Sequence, residues 1–251
     1  METFKDSGLH PSIVKGVEAL GFETPTPIQK LSIEHLLENE TDLIAFAQTG
    51  TGKTAAFSLP ILHNLDADVQ HVQAIILAPT RELCLQIGND IASYTKFMNV
   101  KVTAVYGGAP ITKQIKELQG RPQIVVGTPG RTLDLIQRKK LRIEDVQFLV
   151  LDEADEMLSM GFQDELDAIL ANTPEHKQTL CFSATMPDGM KHPQKFTSRT
   201  FRSTGSVISS TVPRCPIPAL LIKRSIEPVN AKAWLVQTSA FSFCSKSKGR
   251  R

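Results

Sequence analysis

The residues best suited to chemistry lie together in the stretch Ala47-Gln48-Thr49-Gly50-Thr51-Gly52-Lys53-Thr54. An apolar run at 43–46 precedes it and a helical pattern follows it. A glycine-containing turn between a strand and a helix directs backbone N–H groups at an anion, and the helix dipole adds to their attraction. Glycines let the backbone approach phosphates closely, the Lys53 ammonium can reach the β- and γ-phosphates, and the Thr54 hydroxyl can bind Mg²⁺. A plain turn would explain the glycines but not the Lys-Thr pair, so the stretch predicts a nucleoside triphosphate site.

A second cluster, Asp152-Glu153-Ala154-Asp155, follows an entirely apolar run at 148–151. A carboxylate just past a buried strand can hold the Mg²⁺ that accompanies a nucleotide, and Asp152 is the candidate, acting through bound water. Its neighbour Glu153 can orient and deprotonate the attacking water. An acidic helix N-terminus stabilised by the helix dipole is the simpler alternative for any one of these carboxylates.

Short apolar runs alternate with helical patterns from residue 12 to about 190. Because these runs are continuous rather than alternating, they are typical of parallel strands covered on both faces. The predicted strands are 43–47, 74–78, 100–106, 124–127, 148–151 and 179–183. The predicted helices are 12–20, 27–37, 54–64, 82–97, 111–118, 131–139 and 162–170. The order predicts an α/β fold in which helices cover both faces of a mainly parallel sheet.

Composition and charge limit the remaining possibilities. The 251 residues are 41% apolar and can bury one core, but no apolar stretch approaches the ~20 residues that span a membrane. The start of the chain is not that of a secretory signal, so we expect a cytoplasmic protein without a membrane partner. The net charge of +2 conceals a division, because residues 1–187 carry 24 acidic and 16 basic side chains and residues 188–251 carry 2 and 12.

The two clusters together resemble the ATP-binding loop and the acidic motif of DEAD-box ATP-dependent RNA helicases. Residues 21–29, Gly-Phe-Glu-Thr-Pro-Thr-Pro-Ile-Gln, are similar to the family's Q motif, and Phe4 lies 17 positions before Gly21, where the family has an isolated aromatic residue. The resemblance implies that Phe4 stacks on the base and that Gln29 reads the adenine edge. A carboxamide both donates and accepts, which suits adenine and disfavours guanine.

Three further stretches resemble the family's RNA-backbone motifs, and each follows a predicted strand. Glycine-exposed amides, Thr hydroxyls and Arg side chains hold phosphates and ribose without reading sequence. The resemblance assigns to RNA the residues Pro79, Thr80, Arg81, Gly107, Gly108, Thr128, Pro129, Gly130 and Arg131. It also assigns to Ser183 and Thr185 the coupling of ATP to unwinding through hydrogen bonds to Asp155. The fold implied is the RecA-like domain of P-loop NTPases.

The resemblance ends near residue 190. Residues 1–190 are expected to form the ATP-binding RecA-like domain, with the Q motif at about 2–30. Residues 191–251 form a basic tail rich in Ser, Thr and Pro, for which we expect disorder or a non-native sequence. The family's second domain, which supplies the arginine finger, is expected to be absent. A genuine RNA-binding extension, alternative processing and a shifted reading frame all remain open, and the last is favoured.

The sequence therefore predicts an enzyme that hydrolyses ATP, with Mg²⁺, to unwind or remodel RNA without sequence preference. Lys53, Asp152, Glu153 and Asp155 are its expected catalytic residues, with Thr54 and Asp152 at the metal. An ATP- and RNA-binding fragment with impaired catalysis is the alternative. A GTPase is poorly supported because the chain shows no Asn-Lys-x-Asp motif for guanine. The sequence identifies no protein partner.

Overall fold

A computed structural model describes residues 1–184 and 206–209. Seven strands form one sheet: β1 Leu43–Phe46, β2 Ala74–Leu77, β3 Val102–Val105, β4 Ile124–Gly127, β5 Phe148–Asp152, β6 Gln178–Ser183 and β7 Ser206–Ser209. The helices are α1 Pro11–Ala19, α2 Pro27–Glu38, α3 Lys53–Asn64, α4 Arg81–Tyr94, α5 Ile111–Leu118, α6 Pro129–Gln137, α7 Ala154–Ser159 and α8 Gln163–Ala171. A 3₁₀ helix at Phe4–Ser7 precedes them.

The strand order is β3-β4-β2-β5-β6-β1-β7, and the strand pairs are parallel. The carboxyl ends of parallel strands meet at one edge of the sheet, which therefore collects the loops that follow β1 to β6. The α/β fold with a parallel sheet is confirmed, as are the six predicted strands, whose ends shift by one or two residues.

Two apolar cores explain why the central strands β1, β2 and β4 consist of apolar residues and glycine. In β2, Ala74 and Ile76 pack into a core with residues of α1 to α4, while Ile75 and Leu77 pack into a second core with residues of α6 to α8. Successive strand residues point to opposite faces, so both faces must be apolar when helices cover both. The predicted coverage of both faces is confirmed. On the first face the rings of Phe57 and Phe182 pack edge to face, with centroids 5.3 Å apart.

Helix starts recur at the carboxyl edge of the sheet. α4 and α6 begin directly after Thr80 and Thr128, and the Thr80 hydroxyl oxygen accepts a hydrogen bond from Leu83 N at 3.2 Å. Threonine is a favoured N-cap because it satisfies a backbone donor that lacks an intrahelical partner. Pro129 occupies the first helical position of α6, where the missing N–H costs nothing. These caps aim helix N-termini at the edge that also carries the phosphate loop.

The structure differs from the predictions in two places. Helix α7, which begins within the acidic cluster at Ala154, was not predicted. The prediction of no regular structure after residue 190 is wrong at Ser206–Ser209, which pairs with β1 in register from Leu43↔Ser206 to Phe46↔Ser209. The Val-Ile pair at 207–208 favours a strand, and β1 would otherwise present an open edge of backbone donors and acceptors. The other residues of the expected tail lie outside the described residues.

Across residues 1–184 and 206–209, no helix is both long and apolar enough to span a membrane.

Candidate active site

The predicted phosphate loop lies between β1 and α3. Gly50 and Gly52 have φ angles of 82° and 88°, a left-handed conformation that residues with a Cβ rarely adopt. The Thr51 hydroxyl donates to Gln48 O at 2.7 Å, which closes the turn. Ala47 is buried and its N–H donates to Ser183 O at 3.0 Å, so the loop is fixed to the end of β6. The loop thus reaches the first residue of α3, Lys53, in a defined conformation.

The Lys53 ammonium lies between two of the three carboxylates of the acidic cluster. Its Nζ is 3.5 Å from Asp152 Oδ1 and 3.7 Å from Glu153 Oε1, and the Lys53 side chain is only 6% exposed. At these distances it makes ion pairs, but among the described residues Nζ has no hydrogen-bond acceptor. A buried ammonium without acceptors is costly, and phosphate oxygens would supply them. The structure thus brings together the two clusters predicted 100 residues apart.

Burial sets the protonation of Asp152. This carboxyl ends β5, is 2% exposed, and has its pKa raised to about 6 because burial disfavours the charged form. The charge of Lys53 lowers the pKa, and the neighbouring Glu153 raises it. Glu153 N–H donates to Asp152 Oδ1 at 3.1 Å. The carboxyl is therefore ionised at neutral pH and becomes protonated in mild acid.

Glu153 lies in an unusual backbone conformation. Its φ of 54° and ψ of 50° place a residue with a Cβ in the left-handed region, directly before α7. Thr49 Oγ1 donates to Glu153 Oε1 at 3.4 Å. Such conformations are retained where the surroundings determine them and are frequent at active sites. The side chain remains partly exposed, so solvent water can reach its carboxylate.

Residues of the predicted Q motif contact the phosphate loop directly. Thr26 Oγ1 donates to Thr51 O at 2.9 Å, and Gln29 Nε2 donates to Gly52 O at 3.1 Å. Gln29 Oε1 accepts from Thr26 N at 2.9 Å. A Cβ at Gly52 would overlap Gln29 Nε2, so this contact requires glycine. The sequence did not predict that Gln29 supports the loop, and its reading of a base stays a prediction.

Phe4 is placed differently from the expectation of a stacking ring. It is 2% exposed and packs in the first core, while its N–H donates to Glu23 O at 3.3 Å. Protein atoms cover both faces of this ring, so in this arrangement neither face can stack on a base. The stacking role of Phe4 stays a prediction.

The predicted RNA residues converge on one cleft at the carboxyl edge of the sheet. This cavity of about 430 Å³ is lined by Pro79, Arg81, Gly107, Thr128, Gly130, Arg131, Asp134 and Phe162. Six of the nine predicted residues line it, and Thr80, Gly108 and Pro129 are their chain neighbours. A Cβ at Gly107, Gly108 or Gly130 would meet nothing within 4 Å, so their backbones are open to a ligand. We call this cavity the arginine cleft.

Two residues that the sequence did not single out hold the arginines of the cleft. Gln114 is 3% exposed, accepts from Arg131 Nη1 at 2.8 Å and donates to Tyr106 O at 3.1 Å. Arg131 also donates to Ala109 O at 3.1 Å. The Arg81 guanidinium lies 4.9 Å from the centroid of the Tyr106 ring, which is a cation–π contact. The cleft is therefore preformed, with both guanidinium groups oriented by neutral partners.

Asp134 and Phe162 were also missed as lining residues. Asp134 lies on α6 one turn after Arg131, a spacing that could have indicated it, and Asp134 Oδ1 accepts from Arg138 Nε at 2.7 Å. Phe162 directly precedes α8, and only its tertiary position brings it to the cleft.

The predicted coupling residues are only partly described. Ser183 is fully buried at the end of β6, beside Phe46 of β1, and Asp155 lies in the first turn of α7. Thr185 lies outside the described residues. The coupling role of the Ser183 and Thr185 hydroxyls stays a prediction.

Comparisons with known proteins agree with this geometry. The profile of the DEAD/DEAH box helicase family matches residues 26–192. The chain is 51% identical over 191 residues to the DEAD-box ATP-dependent RNA helicase CshA of Bacillus cereus and 53% identical over 191 residues to the ATP-dependent RNA helicase CshA of Listeria monocytogenes. Each match covers 76% of this chain and 36% of the relative, so the chain spans about a third of the length of these curated relatives.

Solved structures show the same fold. A DEAD box protein from the hyperthermophile Methanococcus jannaschii superimposes with a TM-score of 0.77 at 38% identity, covering 84% of this chain and 56% of that one. A Saccharomyces cerevisiae Dbp5 variant bound to a Gle1 variant and IP6 gives a TM-score of 0.71 at 33% identity, covering 82% of this chain and 52% of that one. With the phosphate loop, the acidic cluster and the profile match in agreement, the chain belongs to the DEAD/DEAH box helicase family.

Proposed function

We propose that this domain binds ATP with Mg²⁺, binds RNA through its backbone, and hydrolyses ATP to remodel RNA as part of a DEAD-box RNA helicase. The observation that carries the proposal is the buried Lys53 ammonium, which faces two carboxylates at the head of the phosphate loop and lacks hydrogen-bond acceptors. A triphosphate supplies those acceptors. The cytoplasm is the proposed location, since the RNA substrates of such an enzyme are found there.

The preference for adenine rests on Gln29. Its carboxamide uses one acceptor site for Thr26 N and one N–H for Gly52 O. One N–H and one lone pair remain, which match the N7 acceptor and the amino donor of adenine. Guanine has a carbonyl oxygen where adenine has its amino group. Two acceptors, this oxygen and the Gln29 amide oxygen, would then face each other and repel. The same side chain then links the base to the phosphate loop.

The residues present fit a Mg²⁺ ion. Asp152 offers a buried carboxylate, and Thr54 offers a hydroxyl in the first turn of α3. Hard oxygen ligands and retained waters are what Mg²⁺ requires. When bound with ATP, the ion neutralises charge on the β- and γ-phosphates. Lys53 holds the same phosphates, and Glu153 accepts a proton from the attacking water.

The arginine cleft is the proposed RNA site. Arg81 and Arg131 supply charge for phosphates, and the open backbones at Gly107 and Gly130 supply amides. None of these groups reads a base edge, so we expect little sequence preference. The site lies at the same sheet edge as the phosphate loop, which allows Ser183, Asp155 and Thr185 to couple them.

A second candidate function is nucleotide and RNA binding with little turnover. This candidate concerns the 251-residue chain by itself, which covers 36% of the length of helicases such as CshA, whose names describe the whole proteins. Hydrolysis in other phosphoryl-transfer enzymes gains about 10³–10⁵ in rate from an arginine finger supplied by another domain or protein.

The experiment that separates the two functions is ATP hydrolysis by the 251-residue chain, with and without single-stranded RNA of mixed sequence. We expect RNA to raise hydrolysis of ATP and not of GTP. Binding of ATP and RNA without hydrolysis above a protein-free blank would select the second candidate. An absence of ATP binding would refute both.

Replacing Gly130 with Ala tests the arginine cleft without disturbing the fold. The new methyl group meets no protein atom within 4 Å and lies where we place a phosphate. Alanine also has the higher helix propensity, so we expect an unchanged or slightly raised melting temperature. RNA affinity should fall about tenfold, as ~1.4 kcal/mol of lost binding free energy. Fluorescence anisotropy with labelled RNA measures it.

The matched control for this change is Gly120→Ala, at a glycine outside the arginine cleft. Its Cβ would meet only Glu117 O, at 3.0 Å. We expect its RNA affinity to match that of the parent. Equal RNA affinity for the parent and Gly130→Ala would place RNA elsewhere.

Binding of ATP with Mg²⁺ should depend on pH through Asp152. Its pKa of about 6 means that the carboxylate that holds the ion is lost as the pH falls through 6. We expect the gain in ATP affinity on adding Mg²⁺ to shrink about tenfold per pH unit below that value. Calorimetric titrations with and without Mg²⁺, from about pH 5 to 8, measure the gain.

Asp152→Asn is the control for this titration, because its remaining pH dependence belongs to the phosphates of ATP itself. The prediction is wrong if parent and variant show the same pH profile.

The free energy of unfolding of the ATP-free protein depends on pH in the opposite direction to the Mg²⁺-dependent ATP affinity. The pKa of Asp152 in the folded protein exceeds the value of 3.8 for an unperturbed carboxyl, so folding favours the protonated form. The contribution of this proton to the free energy of unfolding is therefore complete below pH 3.8 and is lost as the pH rises through 6.

A further inference from the structure

A second cavity lies at the edge of the sheet opposite the phosphate loop. It has a volume of about 530 Å³, and its lining includes Val72, Pro122 and Asp145, which lie shortly before β2, β4 and β5 in the chain. In a parallel sheet the amino ends of the strands form the edge remote from the loops of the active site. Its polar lining includes His71, Arg121, Lys139, Lys140, Arg142 and Asp145. Four permanent cations thus face one carboxylate, and we call this cavity the basic cleft.

The cations of the basic cleft are not neutralised by the fold. In the described part of the chain, Arg121, Lys139, Lys140 and Arg142 form no ion pair within 4 Å. All four are exposed. Arg121 is nevertheless oriented, because its Nη1 donates to Gln70 Oε1 at 3.1 Å. Several like charges that converge on one concavity create a field that attracts an anionic group.

Backbone conformation places two of these cations at the rim. Arg121 and Lys139 have φ angles of 53° and 55°, and each follows the end of a helix. A residue in this left-handed position after a helix is usually glycine. Within the described ranges the one other non-glycine residue with positive φ is Glu153, at the active site. The chain thus carries a charged side chain at both positions where glycine would cost less.

Hydrogen bonds around the buried Gln123 side chain fix the walls of the basic cleft. Gln123 is 4% exposed, its Nε2 donates to Val69 O at 2.9 Å, and its Oε1 accepts from Lys101 N at 2.9 Å. Lys101 Nζ in turn donates to Gly120 O at 3.1 Å. The segments on the two sides of the cleft are thereby joined. A preformed cavity costs less to occupy than one that must first be ordered.

The floor of the cleft indicates the chemistry of its occupant. Val72, Leu118 and Leu141 are almost fully buried and aliphatic, and the lining contains no Phe, Tyr or Trp. Nucleic acids are held by base stacking on aromatic rings or by backbone contacts to glycine-exposed amides and hydroxyl groups, and the lining offers no Phe, Tyr or Trp ring and no glycine, Ser or Thr. An aliphatic floor with a rim of cations instead fits a peptide that carries carboxylates beside an apolar side chain. The segment 188–251 of this chain is unsuitable, because it has 12 basic and only 2 acidic side chains.

We propose that the basic cleft docks an acidic segment of a partner protein, with an aliphatic side chain on the floor and carboxylates at the rim cations. The site is independent of the proposed ATP and RNA sites, since it lies at the other edge of the sheet. Docking there leaves the arginine cleft and the phosphate loop open. A partner can therefore remain bound at the basic cleft while ATP and RNA bind at the opposite edge of the sheet.

The test uses a labelled peptide of about ten residues, Asp and Glu around a central Leu, and fluorescence anisotropy at about 0.15 M salt. We expect the 251-residue chain to bind it, and Lys139→Glu with Lys140→Glu to weaken binding at least tenfold. The matched control, Lys15→Glu with Lys96→Glu, makes the same charge change on two exposed lysines outside the cleft. One lies on α1 and the other just after α4, on the face of the sheet that packs against the first core. This control should stay within twofold of the parent. Lys140→Ala with Arg142→Ala provides a milder pair should the charge reversal unfold the protein.

The outcomes that overturn the proposal are distinct. Equal weakening by the cleft pair and the control pair would show attraction to overall charge and not to the cleft. A labelled RNA of about ten nucleotides that binds more tightly than the peptide, and loses that binding on cleft reversal, would make the cleft an RNA site. Loss of self-association on cleft reversal, without peptide binding, would make it a contact between copies of this chain. A peptide with Ser in place of Leu should bind several-fold more weakly. Equal binding of the two peptides would show that the aliphatic floor does not contact the peptide.

Discussion

Replacing Lys53 with Ala should lower the affinity of the chain for ATP at least 100-fold, a loss of about 2.7 kcal/mol. The Lys53 ammonium is the buried cation at the head of the phosphate loop, and ion pairs with Asp152 and Glu153 hold it in place. Alanine leaves the β- and γ-phosphates facing two carboxylates without compensation. The charge-assisted hydrogen bonds that Nζ would donate to the phosphate oxygens are lost as well. Isothermal titration of ATP with Mg²⁺ measures the change.

The matched control is Lys177→Ala. Lys177 is also 6% exposed, but it directly precedes β6, at the sheet edge remote from the loop, where its Nζ donates to Pro174 O at 3.3 Å. Both changes remove a buried ammonium, so both should lower the melting temperature. We expect only Lys53→Ala to reduce ATP affinity. Similar losses of ATP affinity in the two variants would mean that the effect comes from the fold and not from contact with phosphate.

The fold was predictable because the information is local. A strand covered on both faces must be apolar at its buried positions, and β2 and residues 148–151 of β5 show this directly in sequence. The phosphate loop and the acidic cluster were equally clear, because glycine, lysine and carboxylates at strand ends have few other uses. Parallel pairing then brings those strand ends to one edge without any further knowledge of contacts.

What the sequence did not predict depends on contacts distant along the chain. Gln114 is an ordinary polar residue on α5 until Arg131 and Tyr106 O are placed against it. The burial of Phe4 reflects packing against the first core, which spacing from Gly21 cannot show. Strand β7 forms in a basic segment because β1 offers an edge, and local composition gave that segment no period.

Hydrogen bonds to neighbouring segments hold the phosphate loop in place on two sides. Gln29 and Thr26 donate to the carbonyls of Gly52 and Thr51, while Ala47 N–H donates to Ser183 O. The loop is therefore connected to the predicted base-reading segment on one side and to the end of β6 on the other. A shift in either neighbour would change the positions of the amides that are proposed to face the phosphates. This arrangement is what the proposed coupling between base, phosphate and RNA sites requires.

Replacing Glu153 with Gln should separate ATP binding from ATP hydrolysis. A Gln side chain keeps the size of Glu and an oxygen that can accept from Thr49 Oγ1, but it cannot take a proton from water. General base catalysis contributes about 10²–10⁴ in rate, so we expect turnover to fall at least 100-fold. ATP affinity should stay within about threefold, because Lys53 and the loop are unchanged. Hydrolysis at saturating ATP and RNA, with affinity from titration, measures both quantities.

Glu156→Gln is the control for this change, because Glu156 lies three residues later on α7 and is exposed. It removes the same charge from the same segment of chain, so a general electrostatic effect would appear in both variants. Loss of turnover in Glu153→Gln alone assigns the proton transfer to this side chain. If ATP affinity falls together with turnover, Glu153 acts by holding Lys53 and Thr49 in place, and the base must be sought elsewhere. Its strained backbone at the start of α7 would then serve the loop and not the attacking water.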